Sequence, residues 1–167
     1  LTGMAYQGLS QHENSIKFFN QSLKFAPNNI AAMNNLANSY KAIGKLEDAK
    51  DLYEKILKKN SNYINAYNNY ANLKTLVNDY KGAIELYLKA YDLIKNNENI
   101  SKKSVTGILF SLAVAYQSDN KIDETKNTVN KILSIDSSHV GAHKLLSSLT
   151  RYSNKDEDSM THIKQMD

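Results

Sequence analysis

The sequence predicts an all-α fold of antiparallel helix pairs stacked in series, and three observations lead there. The chain repeats itself: when 30–63 is laid on 64–97 without gaps, Ile30, Ala32, Asn34, Asn35, Ala37, Asn38, Ala49, Leu52, Tyr53 and Lys55 each recur 34 residues later. Within each unit the apolar residues fall on two helical stripes separated by a short break. Chain breakers are scarce, with one proline and six glycines in 167 residues, which disfavours the turn-rich all-β classes. A period of this length is that of a helix-turn-helix solenoid.

The elements follow in order. The unit 1–29 is cut at its start: Gly3 and Tyr6 fall on its first helix, Ser15, Phe19 and Leu23 on its second, and Pro27 closes it. In 30–63, Ile30, Met33, Leu36, Ala37, Tyr40 and Ile43 form one stripe; after a break at Gly44-Lys45, Leu46, Ala49, Tyr53, Ile56 and Leu57 form the second. Two helices joined by so short a turn must pack antiparallel, and Ala37 and Ala49 lack bulk where the backbones approach. The unit 64–97 offers Tyr67, Tyr70-Ala71, Ala83, Tyr87 and Ala90, with Lys74 where Tyr40 stood. An insertion occupies 98–105. Lys95 to Asn99 reads as loop and Ser101 as a helix cap, giving either lengthened helices with a polar connector or a loop folded over the binding groove. The unit 106–139 carries Leu109, Leu112-Ala113, Tyr116, Ile132 and Leu133, with Thr125 replacing the alanine and Val129 the aromatic. Residues 140–152 read as an unpaired first helix, with His139 at its start and His143 at its large core position. Residues 153–167 read as a polar turn and a short helix, 159–166, whose Ile163 and Met166 cap the array.

From Leu1 to Tyr152 the pattern resembles the tetratricopeptide repeat (TPR). The resemblance implies a right-handed superhelical solenoid and a protein-binding role, with positions 2, 5, 6, 9 and 12 of each first helix facing a concave groove. The tail, with His143, Leu145-Leu146, Leu149, Arg151-Tyr152, Asp156 and His162 to Met166, is similar to the junction of bacterial proteins whose TPR array precedes a sulfotransferase-like domain.

Asparagine carries the strongest site signal. Of 21 in the chain, Asn34, Asn35, Asn38, Asn65, Asn68, Asn69 and Asn72 fall in two successive first helices, against their poor helix propensity. An Asn amide presents an acceptor and a donor in one plane, the complement of a peptide unit. The segment resembles the asparagine ladder of O-GlcNAc transferases, which implies that Asn35 and Asn69 bond the main chain of an extended ligand. Asn38 and Asn72 would assist and Asn34, Asn68 and Asn65 lie at the margins; the ladder stops at Ser111 and Leu145. The plain alternative is compositional enrichment from an AT-rich genome. The two-carboxylate clamp is matched less well, because Asn34 stands at a lysine position and Gly107 and Ser111 at basic ones.

Other chemistry is not expected. Without cysteine there is no disulfide, thiol nucleophile or thiolate metal site. His139 and His143 are four apart but lack the glutamate and third ligand of a zinc site, so no metal or cofactor is expected. Phosphate-cradling loops, nucleophile elbows and paired carboxylates are absent, and this stretch reads as non-enzymatic. The net charge of +4 is dispersed and Arg151 is the sole arginine, which argues against nucleic acid. No apolar run approaches the roughly 20 residues of a membrane span, and a cytoplasmic, bacterial protein is expected. The start at Leu1 reads as part of a longer chain. The expected function is a protein-interaction module gripping an extended segment. The rivals are a substrate-recruiting arm of a transferase whose catalytic domain lies beyond Asp167, and self-association through the end helices.

Overall fold

The computed structural model describes residues 2–149. Among the described residues are nine helices and no strand: α1 (Gly3–Gly8), α2 (His12–Phe25), α3 (Ile30–Ala42), α4 (Leu46–Lys59), α5 (Ile64–Leu76), α6 (Tyr80–Ile94), α7 (Lys102–Ser118), α8 (Ile122–Ile135) and α9 (140–149). The helices divide into two compact units after Leu93. The expected capping helix 159–166, and the end of the last first helix at 150–152, lie outside the described residues.

In the first unit α3 packs against α2 and α4, and α5 against α4 and α3. Helices α3 and α5 start 34 residues apart, as do α4 and α6. One core joins Met33, Ala37, Ala49, Tyr53, Ile56, Ala66, Tyr70 and Leu73; a second joins Phe19, Ala32 and Leu36, with Leu52 packed on it. Ala37, Ala49, Ala71 and Ala83 expose no surface, as expected where helices cross closely. Into the space that the alanines leave, the aromatic rings fit: Tyr53 stacks on Tyr70 with centroids 5.8 Å apart. Each such buried ring contributes roughly 1.5–3 kcal/mol relative to exposure.

Helices α1, α3, α5 and α7 all end in the same way. One residue per turn takes a left-handed backbone: Ser10 (φ 57°), Gly44 (79°), Asn78 (60°) and Asn120 (58°). The amide of the following residue then bonds back five positions, Gln11 to Tyr6, Lys45 to Tyr40, Asp79 to Lys74 and Lys121 to Tyr116, at 2.8–2.9 Å. This Schellman closure satisfies carbonyls that the helix end would leave bare and turns the chain back on itself. Three residue types serve at a position with one backbone requirement.

Departures from the repeat are absorbed locally. Lys74, where α3 has Tyr40, pairs with Asp79 at 2.8 Å and lies over the Tyr70 ring. In the neighbouring turns Lys45 lies over Tyr40 and Lys121 over Tyr116, so the cation has moved from one side of the pair to the other. Asp79 also caps α6, accepting from the Gly82 amide at 3.0 Å.

The second unit contains α7, α8 and α9. The inserted stretch is only partly loop: Ser101 Oγ accepts from the Ser104 amide, and 102–105 form the first turn of α7, which runs 17 residues against 13 in α3. Thr125, in the alanine position, turns its hydroxyl onto the Lys121 carbonyl of its own helix. One expectation is corrected here. His143 is exposed, with Nε2 2.9 Å from the Ser137 carbonyl, whereas Ala142, Leu145 and Leu149 fill the core. Those three share an i, i+3, i+7 stripe, and a shift of one residue turns a side chain about 100° away from it. His139 is at the helix start, where its Nδ1 accepts from the Ala142 amide.

A Cβ placed on Gly44 would meet no atom within 4 Å, so Gly44→Val tests the backbone alone. It should cost about 1–2 kcal/mol in urea unfolding, while Ser10→Gly should raise stability by up to about 1 kcal/mol.

Candidate functional site

Burial on α3 falls on Ala32, Met33, Asn34, Leu36, Ala37 and Ser39. The open strip is therefore Ala31, Asn35, Asn38 and Ala42, at helical spacing i, i+4, i+7, i+11. On α5 the same positions hold Asn65, Asn69, Asn72 and Leu76. The first helices are laced side by side. Gln7 Nε2 donates to the Asn35 carbonyl at 2.7 Å and to Ser39 Oγ at 2.8 Å, and Asn69 Nδ2 donates to Asn34 Oδ1 at 3.1 Å. Two polar strips therefore run next to each other on α3 and α5.

The seven asparagines have different surroundings. Tyr53 Oη donates to Asn38 Oδ1 at 2.6 Å, and Tyr87 Oη donates to Asn72 Oδ1 at 2.6 Å. Both hydroxyls cross from a second helix to the first helix of their own pair. Burial pushes the Tyr53 phenol well above its ordinary range, so it stays protonated and remains a donor. The equivalent positions elsewhere show why asparagine is there. Phe19 has no hydroxyl and faces Met4 in the repeat frame, and Val129 is matched by Val114. Asparagine stands on the first helix only where the second helix brings a phenol.

Asn34 is 5% exposed and lies in the seam with Asn69. Asn35, Asn65 and Asn68 make no side-chain hydrogen bond among the described residues, and Asn69 keeps its Oδ1 unbonded. Three of the predicted residues thus present whole free amides, Asn69 presents half, and Asn38 and Asn72 keep their Nδ2 donors. Tyr53, Tyr87 and Gln7, which hold this arrangement, were not singled out from sequence as site residues. The signal available was the constant spacing of 15 between each Asn and its Tyr.

Among the described residues no three His, Cys, Asp or Glu side chains converge as a metal site would require, and no helix is long and apolar enough to cross a membrane.

Paired helices at a spacing of 34 residues, closed by recurrent turns and crossing at alanines, define a helical-repeat protein of the TPR type. The sequence model of the TT21 fifth ARM repeats domain matches residues 4–110, and the chain belongs to that family. No curated protein matches the sequence. Among solved structures the chain is similar to MamA (TM-score 0.77, 18% identity, 97% of this chain and 90% of that one). It is also similar to PilF of Pseudomonas aeruginosa (0.79, 17%, 92% and 66%). A third likeness is to the nearly identical TPR-like repeats of a putative kinesin light chain of Podosopora anserina (0.74, 16%, 98% and 89%). At these identities the likeness concerns the fold.

Tyr53→Phe should cost about 1 kcal/mol in urea unfolding through loss of its bond to Asn38, and Tyr87→Phe about as much. A pH series tests the Lys74–Asp79 pair. Lys74, and then the Gly82 amide, hold the Asp79 carboxyl below its usual range. A lowered folded pKa adds stability above about pH 4 that disappears as pH falls through the folded value. Asp79→Asn should therefore flatten the acid limb of the stability curve.

Proposed function

We propose that the chain is a protein-interaction module that holds an extended segment of a partner along the α3 and α5 strips. The observation that supports this most is the repetition of one open strip on adjacent helices. It is Ala31-Asn35-Asn38-Ala42 on one and Asn65-Asn69-Asn72-Leu76 on the next, with the amides of Asn35, Asn65 and Asn68 uncommitted. An extended chain has a peptide group about every 3.3 Å, each needing a donor and an acceptor once water is displaced. Asn35 offers both and Asn69 its Oδ1 acceptor; Asn38 and Asn72 offer donors, since Tyr53 and Tyr87 occupy their carbonyls. Asn65 and Asn68 flank the track, and Asn34 positions Asn69. Main-chain recognition of this kind fixes the path of a ligand and reads its side chains weakly.

The test is selection of peptides from a randomised, N-acetylated library, followed by calorimetry on the best binder. Asn35→Ala with Asn69→Ala should weaken binding at least about tenfold, as expected for the loss of two to three hydrogen bonds. An unchanged Kd in a double variant with native circular dichroism would sink the proposal.

A further inference from the structure

We propose, building on that reading, that Lys41 makes this face selective for a segment carrying an aspartate or glutamate side chain beside the residue held by Asn69. Asn34 and Lys41 are two turns apart on α3, and the bond from Asn69 to Asn34 shows that this side of α3 faces α5.

The equivalent residues show where such a side chain reaches. Gln7, 34 positions before Lys41, spans to the Asn35 carbonyl and Ser39 Oγ on the next first helix; Gln117 spans to Ser148 Oγ. These partners lie 28 to 32 residues ahead, and the same step from Lys41 leads to Asn69, Asn72 and Leu73. The amine of Lys41 thus belongs to the seam beside two rungs of the asparagine strip.

What differs at this seam is the lost acceptor. Around Gln7 the donor meets Ser39, which also bonds Ser15 Oγ at 2.8 Å. One repeat later Ser39 has become Leu73 and Ser15 has become Ala49, both buried and apolar. Lys41 is half-buried, yet its ammonium has no hydrogen-bond or ion-pair partner among the described residues. Four other lysines of the unit have partners: Lys45 over Tyr40, Lys50 with Glu47, Lys74 with Asp79 and Lys59 with Asn28 Oδ1. Lys17, Lys24, Lys55, Lys58, Lys81 and Lys89 have none among the described residues but are exposed to water, as Lys41 is not. Burial lowers the Lys41 pKa with no carboxylate to oppose it, which is the cost of an uncompensated charge. A ligand carboxylate arriving at the seam supplies the missing partner in a site already part-desolvated, where a charge-assisted bond is strong. The main chain of the ligand is held by Asn69, and the side chain next to it is the group placed to reach Lys41.

Two randomised octapeptide libraries, both N-acetylated, one C-amidated and one with a free C-terminus, are selected against the whole chain and against Lys41→Met. Methionine keeps the stem that covers apolar surface, and Lys41→Gln, the residue found at position 7, serves as a second variant should methionine unfold the chain. The expected result is enrichment of Asp and Glu at one position of the amidated library with the native chain, lost in both variants. The best peptide should bind Lys41→Met roughly ten- to a hundredfold more weakly, and its acid-to-amide version should lose the same factor with the native chain only. Binding peptides without acidic preference, or a preference that survives both variants, overturn this inference and leave the interaction reading standing. Enrichment confined to the free-acid library assigns the carboxylate to a chain terminus and also overturns it. Retention of no peptide by the native chain overturns the interaction reading, and this inference with it.

Discussion

A phenol ring that must be buried and a hydroxyl that must be bonded are the two demands of Tyr53, and most of the first unit is arranged around them. The ring exposes no surface and stacks on Tyr70, so it fills the gap that Ala37 and Ala49 leave at the helix crossing. Its hydroxyl cannot stay unpaired in that setting without a penalty of a few kcal/mol. The Asn38 carbonyl meets the need, and Asn72 does the same for Tyr87. Core packing thereby dictates a polar residue at one position of the open strip and sets the direction in which its amide points. Where the aromatic is Phe19 or the core residue is Val129, the matching positions are Met4 and Val114. In the two repeats that carry tyrosine, the core and the candidate face are coupled through one hydrogen bond each.

The turns obey a second constraint. Each first helix must reverse within three residues, and a left-handed residue followed by a back-bonded amide achieves it. Because the requirement is on the backbone, side chains around it can vary in compensating ways. Tyr40 under Lys45 becomes Lys74 paired with Asp79, and then Tyr116 under Lys121. A cation–π contact and an exposed ion pair are each worth about a kcal/mol or less, so one can replace the other at little cost.

Much of the fold was legible in the residues because it is local and periodic. The helix pairs, the crossing alanines and the cap at Ser101 follow from spacing and side-chain chemistry. His143 was misread for a related reason. The helix starts in frame, with His139 capping it as Asn29 caps α3, so position 143 matches the buried Met33 by spacing. The polar ring there turns instead to solvent and the Ser137 carbonyl, and Leu145 and Leu149 fill the core. The candidate face was legible as a set of residue types, but its members look equivalent in one dimension. Asn34, Asn35 and Asn38 lie within five positions, yet one is buried in a seam, one is free and one is held by a phenol.

By itself the sequence determined the period, the fold class and the face on which asparagine accumulates, because each depends on which residues recur at helical spacing. Only the tertiary structure decided which amides are committed and which are free. It also decided that Gln7 finds a hydroxyl at Ser39, whereas half-buried Lys41, one repeat on, has no hydrogen-bond partner among the described residues. The reason is that a hydrogen bond depends on distance and direction to within a few tenths of an ångström. Those are set by how neighbouring helices cross, not by the residue spacing that places them on the same side.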